Sequence, residues 1–367
     1  MNYRERFVRT MRFQKVDRVP WWELWYWKDT LDRWHDEGLP EDVYLEQYFE
    51  VDRREGVGVN LGIIPVFEVE TFEETPEYRI FRRADGVICQ EFRDDDLKGR
   101  MPHWLEFPIK TKADWEEFKK RLNPSSPTRY PLWWEEKKRS WRGRDYPLSI
   151  SAGSLYGWLR NWVGMENLAY LFYDDPHWIH EMMEYVTDFV CQVIERAVRE
   201  VDIDYATLWE DMSYKTGSLI SPEMVKKFMV PRYKRITELL RKNGIDIIFL
   251  DSDGNIEELI PLWLEAGING VYPLEVAGGM DPVALRKKYG QDLLLIGGID
   301  KRAMAEGREA IDRELNKLPY LCLSGGYIPW CDHLIPPDVS FENYVYYLER
   351  MKEITLDPEK YVRTSTH

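Results

Sequence analysis

Near the end of the chain, "GGYIPWCDHLIPPD" sets a thiol (Cys331), a carboxylate (Asp332) and an imidazole (His333) among glycines and prolines. Upstream, "DSD" places Asp251 and Asp253 two residues apart, and "WED" joins Glu210 to Asp211. Carboxylates and one imidazole around a common cavity suit two kinds of chemistry. They can hold a divalent metal through mixed oxygen and nitrogen ligands, zinc or a similar ion. They can also act as general acid and base without a metal. Composition does not separate the two. Plainer roles compete. Asp251, Ser252, Asp253 and Asp300 precede helical stretches, where Asp and Ser are ordinary caps. Glu275 in "PLEV" could be solvated. A lone His on a Pro-rich loop is more often structural than catalytic. Glu210 and Asp211 are harder to set aside, because paired carboxylates ending a buried strand need a cation, a proton or a donor to compensate them.

These residues need a scaffold, and from about residue 147 the chain alternates apolar runs with helical stretches. The runs at 146–153, 204–211, 245–254, 268–276, 292–300 and 318–326 read as strands. Helices are expected over 166–201 (broken at Pro176), 221–244, 255–267, 281–290, 301–318 and 340–354. Ser221 ahead of Pro222 is an N-cap signal, and Gly244 a stop. Continuous rather than alternating apolar strands indicate a parallel sheet covered by helices. With 16–27 ("VDRVPWWELWYW") as a first strand, the pattern predicts an α/β fold: one (β/α)8 barrel across residues 1–367. No GxGxxG follows the first strand, which disfavours a dinucleotide fold. Residues 50–110 interrupt the alternation. Within them, 78–92 reads as a β-hairpin turning at Asp85 and Gly86, inserted over the barrel mouth.

In such a barrel the strand ends at the C-terminal face carry the site. Here they hold Glu23, Gly153, Ser154, Glu210, Asp211, Asp251, Ser252, Asp253, Glu275, Asp300 and the Cys331, Asp332, His333 run. The formal net charge of −15 argues against a nucleic-acid partner. No apolar run is long enough to cross a bilayer, and the charged N-terminus lacks a signal-peptide core. A cytoplasmic location is expected. The 4 cysteines show no disulfide or CxxC spacing.

"WEDMSYKTGSLISPEMVKKFMVPRY", "LDSDGNIEELIPLWLEAGINGVYPLE", "IGGIDKRAMAEG" and "GGYIPWCDHLIPPDVSFENY" together resemble the uroporphyrinogen decarboxylase superfamily. The likeness spans most of the chain and implies a β/α barrel. It also implies one of two activities: cofactor-free decarboxylation of uroporphyrinogen, or methyl exchange with a corrinoid protein assisted by zinc. The decarboxylases' arginine-rich motif after the first strand is replaced by "WWELWYWKDTLDRW", so a substrate with many carboxylates would lose its clamp. Where they carry a Tyr, this chain has Asn161, with Arg160 beside it. His333 falls at their late active-site His. The methyltransferases' zinc-binding His-x-Cys pair aligns with Asp251 and Asp253, and their last Cys with His333.

The expectation is therefore methyl transfer from a small methylated compound, such as a methyl ether or methylamine, to a separate corrinoid protein. Catalysis would fall to His333, Asp251, Glu210, Asp211 and Arg160. Asp251, Asp253 and His333 would hold any zinc or other divalent metal. Glu23, Trp25, Asn161, Glu275 and Asp300 would contact substrate, with Trp22, Trp25 and Trp27 as an aromatic wall. The alternative is a carboxy-lyase acting on a smaller acid, with Arg160 holding the carboxylate and His333 and Asp251 managing protons. A third reading is a non-catalytic barrel that carries a tetrapyrrole or corrinoid. The resemblance also implies a homodimer.

Overall fold

A computed structural model describes residues 1–23, 26–93 and 101–362. Thirteen strands are numbered along the chain: β1 Glu55–Gly56, β2 Glu70–Glu74, β3 Tyr78–Arg82, β4 Ile88–Phe92, β5 His103–Glu106, β6 Leu148–Ser151, β7 Tyr205–Trp209, β8 Ser213–Tyr214, β9 Gly217–Ser218, β10 Ile248–Asp251, β11 Gly270–Tyr272, β12 Leu294–Ile296 and β13 Tyr327–Ile328. Seven of them form a curled parallel sheet in the order β1-β6-β7-β10-β11-β12-β13. Consecutive strands of this sheet are neighbours, as β/α crossovers require.

The covering helices follow from apolar spacing. Pro176–Glu200 buries Ile179, Met182, Met183, Val186, Val190, Val193, Ile194 and Ala197, one face at three- and four-residue steps. Asp175 caps it, accepting from Trp178 N, and Pro176 occupies its first turn. Each of the Ile, Val and Met side chains among them, fully buried, contributes about 1.5–3 kcal/mol.

The sheet differs from the expected barrel in three places. Among the described residues it has seven strands rather than eight. The described residues of segment 16–27 form no named strand and make one isolated bridge, Tyr26 with Ile335. Their other ladder-like contacts are Asp52 N to Trp21 O at 2.7 Å and Trp27 N to Ile335 O at 3.4 Å. These partners precede β1 and follow β13, so the segment bonds to the chain flanking the two edge strands, while Pro20 has no N–H to offer a ladder.

The second difference is the last strand. Residues 318–324 are a helix, Leu318–Ser324, with Pro319 in its first turn and Leu318 and Leu321 buried three residues apart. Propensity for a strand loses here to a proline that suits a helix start. The strand comes later, as β13, after Gly325 and Gly326. Both have positive φ, and a Cβ on Gly326 would lie 2.3 Å from the Phe13 ring. The third difference is β1, a two-residue parallel strand inside the stretch read as an insertion.

The hairpin over 78–92 is present as β3 and β4, with Gly86 at φ +91°. It belongs to a larger antiparallel sheet, β2-β3-β4-β5. No helix among the described residues is long and apolar enough to cross a membrane.

Candidate active site at the strand ends

Register builds the centre of the site. Asp251 ends β10 and pairs laterally with Trp209 at the end of β7 and Tyr272 at the end of β11. Parallel partners in register project to the same face. These three side chains therefore meet, and they line a cavity of about 160 Å³ with Pro273, Asp211, Asp253 and His333. A larger surface groove of about 740 Å³ runs past Glu37, Arg308 and Phe341, and holds none of the strand-end residues.

Asp251 is half-buried. Burial pushes its carboxyl well above the usual carboxylate range, and the charges of Asp253 and Asp211 push the same way; His333 and a hydrogen bond with Tyr272 oppose them only in part. The acid form is thereby favoured. Burial also raises Tyr272, beside it, well above 10.0, so that phenol stays protonated.

His333 Nε2 lies 3.4 Å from Asp253 Oδ2. This hydrogen bond raises the imidazole above its ordinary 6.5, against burial, which lowers it. Trp27 stacks near the same ring, with centroids 6.5 Å apart. Asp211 adopts a left-handed φ of +44°. Its Oδ2 accepts from Arg160 Nη2 at 2.9 Å, and Arg160 Nη1 also donates to its carbonyl.

Glu210 faces away from this cavity. Its carboxylate accepts from Leu155 N (2.8 Å), Tyr156 N (2.8 Å), Gly157 N (3.0 Å), Ser154 Oγ (3.1 Å) and Tyr233 Oη (2.7 Å). It thus caps, from a neighbouring strand, the helix Tyr156–Val163 that carries Arg160. Burial raises its pKa, and the N–H donors oppose. Gly157 allows the approach: a Cβ there would meet the Glu210 carbonyl oxygen at 2.7 Å.

The other expected residues that are described lie outside the cavity's lining. Asp300 caps the helix Lys301–Glu306, accepting from Arg302 N at 2.9 Å, and pairs with the Arg302 side chain. Glu275 accepts from Gly254 N at 3.0 Å and lies 3.5 Å from Lys301 Nζ. Asn161 is exposed. Glu23 is buried, with Oε1 accepting from Tyr347 Oη at 2.6 Å. Trp25 lies outside the described residues.

Asp332 is fully buried and ties three loops, accepting from Val276 N at 2.9 Å and Lys301 N at 3.1 Å. Cys331 is buried beside it, and burial pushes its thiol far up. A thiol so placed is a poor nucleophile. Asp251, Asp253 and His333 share a cavity. Still, among the described residues no three His, Cys, Asp or Glu side chains converge as a metal-ligand set. His333 Nε2 faces Asp253, an arrangement able to hold a proton between the two side chains.

Sequence reasoning missed Trp209, Tyr272 and Pro273. The signal was available for the first two: each ends a strand in register with Asp251.

A parallel sheet whose strand ends gather ionisable groups in one cavity defines the class. The family model described as uroporphyrinogen decarboxylase (URO-D) matches residues 100–354, and this chain belongs to that family. No curated protein matches it. A methyltransferase from Methanosarcina mazei shares the fold at a TM-score of 0.63 and 13% identity, over 96% of this chain and 98% of that one. A Listeria monocytogenes protein assigned as a vitamin-B12 independent methionine synthase aligns over 57% of this chain and 64% of its own, at TM-score 0.34 and 12% identity.

Proposed function

We propose that this protein is a methyltransferase that moves a methyl group from a small methylated compound to a separate corrinoid protein. The observation that carries the reading is Asp251: a carboxyl pushed toward its acid form, in lateral register with Tyr272, in a cavity at the strand ends. The likeness in fold to a methyltransferase along nearly its full length supports it. An eighth strand from segment 16–27, closing the barrel, is part of the same proposal.

The corrinoid, bound by its own protein, supplies the nucleophile that accepts the methyl group. The residues here handle the other half of the reaction. As the carbon–oxygen or carbon–nitrogen bond breaks, its electron pair stays on the heteroatom. Asp251 gives that atom a proton and becomes a carboxylate. His333, whose charged form Asp253 favours, returns a proton to Asp251 after product leaves and takes one from solvent in turn. General acid catalysis of this kind contributes about 10²–10⁴-fold. Trp27 and Trp209 offer apolar faces to the methylated end.

The test is turnover of a panel of methyl ethers and methylamines with a corrinoid protein present. Demethylated product that depends on both proteins supports the reading. A panel with no product, alongside carbon dioxide release from small acids, favours the second reading. That reading is decarboxylation, in which Asp251 protonates the carbon left behind by carbon dioxide; the family model itself supports it.

A further inference from the structure

Arg54 stands just before β1 and is a basic residue that the site chemistry has not used. Its guanidinium carbon lies 4.7 Å from the ring of Trp22 and 4.7 Å from the ring of Trp330. Trp330 in turn stacks on Tyr272, with centroids 5.9 Å apart and planes at 23°. Tyr272 lines the cavity beside Asp251. Arg54 therefore lies between two indole faces and reaches the cavity wall through two rings, Trp330 and Tyr272, close enough for its charge to act on the Tyr272 phenol.

Its hydrogen bonding is thin. Among the described residues its one hydrogen bond is Nη2 to the Glu23 carbonyl at 3.0 Å. No carboxylate there lies within ion-pair reach. Other inward-turned arginines are better held. Arg18 and Arg144 pair with Asp52 and Asp204. Arg129 and Arg286, which lack carboxylates, spread over several backbone carbonyls. A guanidinium has five N–H donors, so Arg54 keeps most of its capacity. It is also only half-buried. Next to it, the Trp330 indole N–H is buried with no acceptor. Arg160, the sequence-based choice for holding an acid, is already paired with Asp211.

We propose that Arg54 is a substrate-binding residue that takes a carboxylate, so that the compound handled at Asp251 is a small planar acid. The inference rests on reading the Asp251 cavity as the substrate site. The fork of the guanidinium matches a carboxylate bidentately, and the flanking indoles select a flat molecule. His333 and Arg160 are already taken up by Asp253 and Asp211, so Arg54 supplies the attraction an anion needs.

Benzoate and its neutral isostere benzamide are suitable probes, with binding followed by tryptophan fluorescence and by calorimetry on the full chain. The wild type should bind benzoate at least about tenfold more tightly than benzamide, as expected of a charge-assisted pair. Arg54→Met should bring the two affinities together, and Arg54→Lys should keep a reduced preference. Equal binding of both probes to the wild type would overturn the proposal, as would an unchanged preference in folded Arg54→Met. The wild-type and Arg54→Lys results decide the matter if Arg54→Met does not fold. Binding needs no turnover, so a failure of methyl transfer leaves this result standing. Conversely, turnover of neutral ethers without any preference for benzoate removes the role of Arg54 alone.

Discussion

His333 Nε2 and Asp253 Oδ2 stand 3.4 Å apart, one on the loop after β13 and the other on the loop after β10. The pair fastens two loops across the cavity and raises the imidazole above its ordinary 6.5. A base whose folded pKa is raised contributes stability that is fully present below its unfolded value. That stability is lost as pH rises through the folded value. The window therefore begins near 6.5 and extends upward. With side-chain exposures of 29% and 35%, the pair is worth about 0.5–1 kcal/mol. Urea unfolding of wild type and Asp253→Asn should differ most at about pH 6 and converge by about pH 9. A difference that grows with pH would contradict the pairing.

Glu210→Gln should lower stability by about 2–4 kcal/mol, because an amide nitrogen would face N–H groups that now point at a carboxylate. Urea denaturation measures this. Activity should fall as well, since the helix that Glu210 caps carries the Arg160 that holds Asp211. An unchanged unfolding midpoint would show that the capping network is dispensable.

Metal analysis separates the two chemistries open at the level of sequence. The proton-transfer account predicts less than about a tenth of an equivalent of zinc after purification, and unchanged activity after chelator treatment. One equivalent of a divalent ion, lost on His333→Ala, would transfer Asp251, Asp253 and His333 to a metal site.

Incubation with uroporphyrinogen should yield no coproporphyrinogen. Residues 21–27 read "WWELWYW", without paired arginines, and Arg160 is engaged with Asp211. Clear product would show that Arg54 and Arg160 suffice for a substrate rich in carboxylates.

Much of this architecture was readable from residue 147 onward, because long apolar runs alternate with well-capped amphipathic helices. Ser221 and Asp300 cap helices as their positions indicated. Elements defined by tertiary contacts were not readable. β1 is two residues, Glu55 and Gly56, with no apolar run to announce it; the parallel pairing with Leu148 and Ser149 creates it. Residues 318–324 are apolar enough for a strand, and only the proline at their start marks a helix. At the site, Asp251, Asp253 and His333 were legible as strand-end residues. The turning of Glu210 toward a helix was not, since five donors from two other elements determine it. Arg54 escaped notice because its meaning lies in missing partners, which no local pattern records.

The central claim is that Asp251 donates a proton to the leaving group, and the leaving group's own need for that proton tests it. Turnover of a methyl ether, whose oxygen leaves poorly unprotonated, should be compared with that of a methylsulfonium compound, whose sulfur leaves neutral. Asp251→Asn should slow the ether by about 10²–10⁴-fold and leave the sulfonium rate nearly unchanged. An equal loss on both substrates would contradict the account and leave Asp251 a purely structural residue.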